Sequence, residues 1–457
     1  LFLAAAVLAA AFLVPASCTP RPPAGRPNDE WTTWTGKKEA RPGPAPKPAE
    51  KERARGHPRR FEGGRPLGPL RVALRIDALA LEVTLPRGGR IAWEGGEIPI
   101  GEGGSVRFAL SEGAVELRGP TEPRVLPSPV HVLPDGAEPW LLERKPYAGT
   151  LSLVAGKGGL VAVNGIGLED YLRGVVPWEI GWLPAERVEA LKAQAIAART
   201  YALSRVAVAE EGSLWDLVAT ESDQVYRGLE RTDPVVDRAI DETAGLVAVH
   251  DDELIRAYYS STCGGRTAPV PDVWIDREPA PYLRSVRDAP GGSDSPSRAY
   301  CRDSPHFRWK ERWKGEEIDA VLRNLAAEKG QGPAALGRLR DVRIEETGET
   351  GRALRTVFET ERADLLVEAD RIRWVLRRPG GAGILRSAWI TLDVKRSKGF
   401  VVEIVAEGRG HGHGVGMCQW GAIGMADEGH RFEEILRHYY KGVRLEEASR
   451  ALAGGAG

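Results

Sequence analysis

The chain opens on an apolar run and then settles into two hydrophobic periods. Residues 1–17, LFLAAAVLAAAFLVPAS, are unbroken apolar sequence, at the lower edge of a bilayer span. This reads as the h-region of an export signal. Neither a Met nor a basic segment precedes it, so the start is read as truncated. Small residues, Ala16 and Ser17, lead into Cys18 as at a bacterial lipoprotein cleavage site, although Pro15 stands where Leu or Val is usual. Residues 1–18 are therefore expected to be a signal peptide, with Cys18 the lipidation candidate and ordinary cleavage near Ala16 the alternative. Either route exports the protein to the periplasm or cell envelope, and a lipid on Cys18 would anchor it to the membrane.

From residue 70 the pattern is that of strands. Arg71-Val-Ala-Leu-Arg-Ile and Ala80-Leu-Glu-Val-Thr-Leu alternate in part, and Gly88-Gly89 follows as a turn. Short strands and Gly-rich turns continue to about residue 165. The period then lengthens. Across 184–210, Val188, Leu191, Ala195, Ala198, Ala202 and Val206 recur at helical spacing. A second helix is predicted over 234–243, with Asp233 as N-cap, Pro234 as first residue and Gly245 as stop. Residues 246–250 and 253–259 read as a hairpin around Asp251-Asp252. Residues 310–330 look helical, strands return over 339–392, a Gly-rich loop spans 408–416, and a last helix covers 432–441. Strands, then helices, then strands predict an α+β fold: a mixed, β-rich core with a few helices around a cleft and an inserted β-subdomain at about 310–395. Residues 446–457 are expected to be a flexible tail.

Composition adds the tether. Residues 19–69 hold 11 of the 33 prolines, with 12 basic and 6 acidic residues. Such sequence buries too little apolar surface to fold, so it reads as a Pro-rich disordered linker. The whole chain of 457 residues carries a net charge of only -1, which argues against a nucleic-acid partner. Mean hydropathy of -0.30 excludes a polytopic membrane protein.

Several clusters are candidates for chemistry. In Tyr171-Leu-Arg-Gly-Val-Val-Pro-Trp-Glu179-Ile, the carboxyl group lies among apolar neighbours. Burial would raise its pKa and make it a general acid. A surface glutamate capping the following helix is the other reading of the residues alone. The helix adds Lys192, Gln194, Arg199 and Tyr201, with Lys192 and Arg199 facing roughly one side, and Asp223-Gln224-Val-Tyr226 follows. Asp223 is a candidate second carboxylate, or else a turn residue. Tyr258-Tyr-Ser260-Ser-Thr-Cys263-Gly-Gly offers hydroxyls but no nucleophile elbow. The loop Gly408-Arg-Gly-His411-Gly-His413-Gly-Val-Gly416-Met-Cys418-Gln419 alternates glycine with polar residues, which would let backbone approach a ligand. It is neither a Walker A motif nor a dinucleotide fingerprint. Cys263, Cys301, Cys418, His306, His411 and His413 lack zinc-ligand spacing. In an exported protein, a Cys263–Cys301 disulfide is the simpler expectation, with no metal and no cofactor.

Together these blocks resemble the stage II sporulation protein D family (SpoIID/LytB), which contains peptidoglycan lytic transglycosylases and amidase enhancers. The matching blocks are 171–180 with Glu189-Ala-Leu-Lys-Ala-Gln-Ala-Ile-Ala-Ala-Arg-Thr-Tyr201, then Asp223-Gln-Val-Tyr-Arg-Gly228, then 257–267, and finally Gly412-His413-Gly-Val-Gly-Met-Cys-Gln-Trp-Gly-Ala422. The resemblance covers about 70–445, which it marks as the catalytic domain. It implies that Glu179, in the V-P-x-E block, is the catalytic acid. Lys192, Gln194, Arg199, Tyr201, Asp223, Gln224, Tyr226, Ser260, His413 and Gln419 would bind glycan or orient Glu179. Many members have His where Ser260 stands, Trp at His411 and Ser at Cys418. Some bind zinc through closely spaced His and Cys after the hairpin, an arrangement that Ser260 interrupts. The implied partners are peptidoglycan glycan strands, those lacking stem peptides among them, and a cell-wall amidase. The implied reaction is cleavage of the MurNAc–GlcNAc β-1,4 bond to a 1,6-anhydroMurNAc end. A hydrolase using Asp223 and a non-catalytic amidase enhancer are the alternatives.

Overall fold

The computed structural model describes residues 68–453, apart from 120–121, 211, 329–334 and 382, together with the backbone of 32–36. The expected signal, Cys18 and nearly all of the tether lie outside the described residues. One piece of the tether differs from expectation. Thr32–Gly36 is a strand, paired antiparallel to Ala363–Glu368. It lies in a Pro-free interval of that region, and its Thr-Thr-Trp-Thr run has high β propensity.

The fold is α+β. Its first half is built from two sheets. One has the strand order Leu217–Val218, Leu70–Ala78, Leu160–Ile166, Thr150–Ala155, Val130–Pro134, Gly89–Trp93 and Gly96–Ile100. The other runs Lys145–Tyr147, Trp140–Leu142, Ala80–Leu85, Gly104–Ser111, Ala114–Arg118 and Arg124–Leu126. Alternation decides which faces are buried: in Ala80–Leu85, Leu81, Val83 and Leu85 point inward while Glu82 is exposed.

Four helices follow: α1 (Leu168–Arg173), α2 (Val176–Glu179), α3 (Val188–Ala207) and α4 (Pro234–Asp241). Helix α3 is buried almost all round, including Ala190, Ala193, Ala195, Ala197 and Ala198. Its alanines let neighbouring elements approach closely on every side, so it forms the central rod of the main core. Helix α4 starts as predicted, with Asp233 accepting hydrogen bonds from the Val235 and Val236 N–H groups. The hairpin turn at Asp251-Asp252 places both residues at positive φ, 51° and 64°.

A second core lies between residues 313 and 406. Around it wrap the strands Arg308–Lys314, Leu339–Thr347, Ala353–Thr360, Ala363–Glu368, Ile390–Ser397 and Phe400–Arg409, with helices α5 (Gly315–Glu328) and α6 (Ile372–Val375). Residues 308–314, expected in a helix from 310 onward, form a strand against Phe400–Arg409. Trp309, Glu311 and Trp313 there alternate with charged residues at period two, and cross-strand pairing overrides helix propensity.

The chain closes with α7 (Gln419–Asp427), α8 (Phe432–Tyr439), a strand Arg444–Glu447 and α9 (Ala448–Ala453). The expected flexible tail is thus ordered to residue 453. Ala448 and Ala451 are buried against Leu203, Val247 and Val249, because their spacing of three puts both on one helical face.

Candidate active site

Glu179 is the last residue of α2, a single turn whose Pro177 fits the helix start. Gly181 follows with φ at +89°, which releases the chain. The carboxyl group is partly buried at the edge of the main core. Its Oε1 accepts the Val225 N–H at 2.7 Å, and the Gln419 side chain adds a second hydrogen bond. Burial is the dominant influence and raises its pKa to about 7, with Glu221 adding repulsion and the two hydrogen bonds opposing the rise. At neutral pH the group is therefore poised between acid and base.

Around it the side chains form a braced wall. Gln419 Nε2 reaches Gln194 Oε1 at 3.4 Å. Behind them, Gln224 accepts from the Tyr171 hydroxyl at 3.0 Å and donates to the Tyr259 hydroxyl at 2.8 Å. On the α2 side, Trp178 and Trp182 meet edge to face with centroids 5.2 Å apart. The Arg227 guanidinium lies 4.4 Å from the Trp178 ring centre, and that of Arg231 lies 4.7 Å from the Trp182 ring centre. Trp182 is 39% exposed, so the edge next to Glu179 presents an aromatic face and two cations.

Gln419 arrives from far along the chain. Tyr259–Ser260 and Met417–Cys418 pair in parallel, and the Gly-rich loop packs on the same segment. His411 and Thr262 exchange backbone hydrogen bonds of 2.8 and 3.0 Å. At Gly416, φ is +72° and a Cβ would stand 2.0 Å from the Tyr258 carbonyl oxygen. Close approach is thus required, and here the partner is the protein's own backbone.

Residues 156–250 match a profile of the stage II sporulation protein (SpoIID) family, and residues 295–416 match one described only as a domain of unknown function. Stage II sporulation protein D of Bacillus amyloliquefaciens is 30% identical over 338 residues, which span 70% of this chain and 84% of that protein. The chain belongs to the stage II sporulation protein D family. An uncharacterized protein of Brachyspira hyodysenteriae is 31% identical over 66% of this chain and 73% of its own length. The amidase enhancer of Bacillus subtilis is 26% identical over 60% of this chain but only 40% of the enhancer.

Not every residue that resemblance to SpoIID proteins singled out gathers at Glu179. Gln194 and Gln419 do. Arg199 is fully buried, bound to both Glu169 carboxylate oxygens at 2.9 and 2.6 Å and to the Leu246 carbonyl at 3.1 Å. Lys192 is held between Glu189 and Glu242 at 2.9 and 2.7 Å. The two cations share a side of α3, as their spacing predicts, but that side faces α4 and its C-terminal loop rather than a cleft. Gln224 and Tyr226 are buried, and the Tyr226 hydroxyl donates to Asn164 at 2.8 Å. These side chains brace the fold.

Asp223 accepts from the Tyr201 hydroxyl at 2.9 Å, the Val218 N–H at 2.9 Å and Arg205 at 2.9 Å, so it fastens a turn to α3. Ser260 Oγ is buried without a hydrogen-bond partner among the described residues. His413 Nδ1 accepts the Val415 N–H at 3.0 Å, and burial beside Arg373 lowers its pKa to about 3, which keeps it neutral. The Cys263 and Cys301 sulfurs, expected as a disulfide, are unbonded thiols 3.7 Å apart, well beyond the roughly 2.05 Å of an S–S bond. Sequence reasoning did not single out Tyr259, Arg227 and Arg231. Arg227 and Tyr259 lie inside quoted blocks, which was the available signal, whereas the contact of Arg227 with Trp178 exists only in the fold.

Proposed function

We propose that this protein cleaves peptidoglycan glycan strands as a lytic transglycosylase, with Glu179 as its single acid–base group. The observation that carries this reading is a carboxyl group whose pKa burial raises to about 7 while Val225 and Gln419 fix its orientation. Protonated Glu179 donates to the glycosidic oxygen between N-acetylmuramic acid and N-acetylglucosamine. That bond breaks and positive charge develops at C1. The muramic acid's own 6-hydroxyl attacks C1, the ionised Glu179 takes its proton, and a 1,6-anhydro end results without water. A hydrolase needs a second carboxylate free to activate water. Asp223, with its three hydrogen-bond and ion-pair partners, is not free for that role, which supports the one-acid route. Trp182 and the arginines beside Glu179 suit stacking on sugar rings and attraction to the anionic wall. This activity places the protein outside the cytoplasm. Among the described residues no helix is long and apolar enough to cross a membrane; attachment through the N-terminal signal or lipidated Cys18 is part of this proposal.

The likeness to an amidase enhancer supports a second reading, in which the same site binds glycan and stimulates an amidase without cutting. Digestion of purified glycan strands, with and without stem peptides, separates the readings by mass spectrometry of the sugar ends. Anhydro ends that disappear in Glu179→Gln are expected. Reducing ends that disappear in Asp223→Asn would mean a hydrolase, and binding with no cleavage would mean an enhancer.

A further inference from the structure

Three cysteines and one aspartate converge at the N-terminal end of α7. Cys263 lies in the turn after Tyr259–Ser260, Asp288 and Cys301 come from the long loop that follows, and Cys418 is the N-cap of α7. The three sulfurs and an Asp288 carboxylate oxygen all lie within 4.8 Å of one another. All four residues are completely buried.

The geometry is that of a closed tetrahedral site. Zinc–sulfur bonds of about 2.3 Å in a tetrahedron separate the sulfurs by roughly 3.8 Å, and Cys263 and Cys301 stand 3.7 Å apart. The surroundings are those of ligands already oriented. Cys418 Sγ accepts the Cys263 N–H at 3.1 Å and the Gly421 N–H at 3.3 Å. Asp288 accepts the Tyr439 hydroxyl at 2.5 Å and the Cys301 N–H at 3.2 Å. Outer hydrogen bonds of this kind fix metal ligands in place. Asp288 also makes no ion pair among the described residues, and a buried carboxylate without a counter-charge is costly. A divalent cation would remove that cost. Thiolates and carboxylate together exceed its charge, and two guanidiniums border the cluster: Arg352 donates to the Cys263 carbonyl at 3.1 Å and Arg308 to that of Gly264 at 3.0 Å.

We propose that Cys263, Asp288, Cys301 and Cys418 bind one Zn²⁺ in a closed, structural site. All four positions are filled by protein, so the ion takes no part in bond cleavage. The ligands come from three separate segments and do not depend on the His position that Ser260 occupies. The ion pins the start of α7, and Gln419, the next residue after Cys418, is the side chain that holds Glu179. Zinc would therefore act as a positioning element for the acid.

The full-length protein, purified under reducing conditions, is assayed for metal by mass spectrometry and then reloaded with cobalt. One zinc per chain is expected, along with the visible absorption of tetrahedral cobalt bound to thiolates. Cys301→Ser should lower zinc affinity by at least about 10-fold, and Asp288→Asn should shift the cobalt spectrum. The proposal is overturned by a wild-type chain that stays zinc-free after dialysis against Zn²⁺, or by a Cys263–Cys301 disulfide in peptide mapping of protein isolated from its own compartment. Both readings use the wild-type chain, so a variant that fails to fold leaves the test intact. Neither depends on whether glycan is cut.

Discussion

Glu179 is held as an acid at neutral pH against the stability of the fold. Its folded pKa of about 7 lies above the unfolded value, near 4.5. The stabilising contribution of the protonated form is therefore complete below about pH 4.5 and is lost as pH rises through 7. The shift corresponds to about 3 kcal/mol, reduced to about 2 because the side chain is partly exposed. Glu179→Gln keeps the acceptor for the Val225 N–H but cannot ionise. Denaturant titrations should find this variant more stable than wild type by about 2 kcal/mol at pH 8, with no gain at pH 4. Cleavage by the wild type should fall about tenfold per pH unit well above 7. At this scale the sequence was informative about the acid, because the apolar neighbours of Glu179 are also its desolvating environment. It was uninformative about what steadies the acid, since Gln419 meets it only through the fold. Arg199 shows the same limit. Spacing put it on one side with Lys192, but the identity of the partner across that side, α4, is a tertiary fact.

Elements with their own punctuation were legible. Asp233, Pro234 and Gly245 frame α4, and Asp251-Asp252 turns the hairpin, each by local backbone chemistry. Elements defined by a distant partner were not, as the strand Arg308–Lys314 shows. The Gly-rich loop falls between these cases. Its glycines announced close approach but not to what. Gly416→Ala would drive a methyl into the Tyr258 carbonyl as well as strain the backbone, so a loss of about 3 kcal/mol or more is expected. Gly429 also has positive φ, +85°, yet has open space around its Cβ position, so Gly429→Ala should cost only about 1 kcal/mol. Thermal denaturation of the two variants side by side checks the difference.

On the scale of the molecule, two cores share one chain, and composition alone could not divide them. The C-terminal strand packs on the first through Leu445, and α9 closes a smaller cluster beside it with Leu203, Val247 and Val249. Deleting residues 448–453 uncovers Leu203, Val247 and Val249, and a lowered melting temperature, equivalent to about 2–3 kcal/mol, is the expected result. The ordering of that segment was missed because its few alanines become a core only against strands already in place. The parallel pairing of Tyr259–Ser260 with Met417–Cys418 has a further consequence for how the protein comes into being. Glu179 leaves the ribosome long before Gln419, and the entire 308–409 unit is made between the two halves of that pairing. A growing or clipped chain that stops short of residue 419 carries the acid without its brace. A contact of such high sequence separation also closes late and slowly. Synthesis past residue 419 is thereby a built-in timing device: the Glu179 carboxyl group gains its brace only after the whole 308–409 unit has been made.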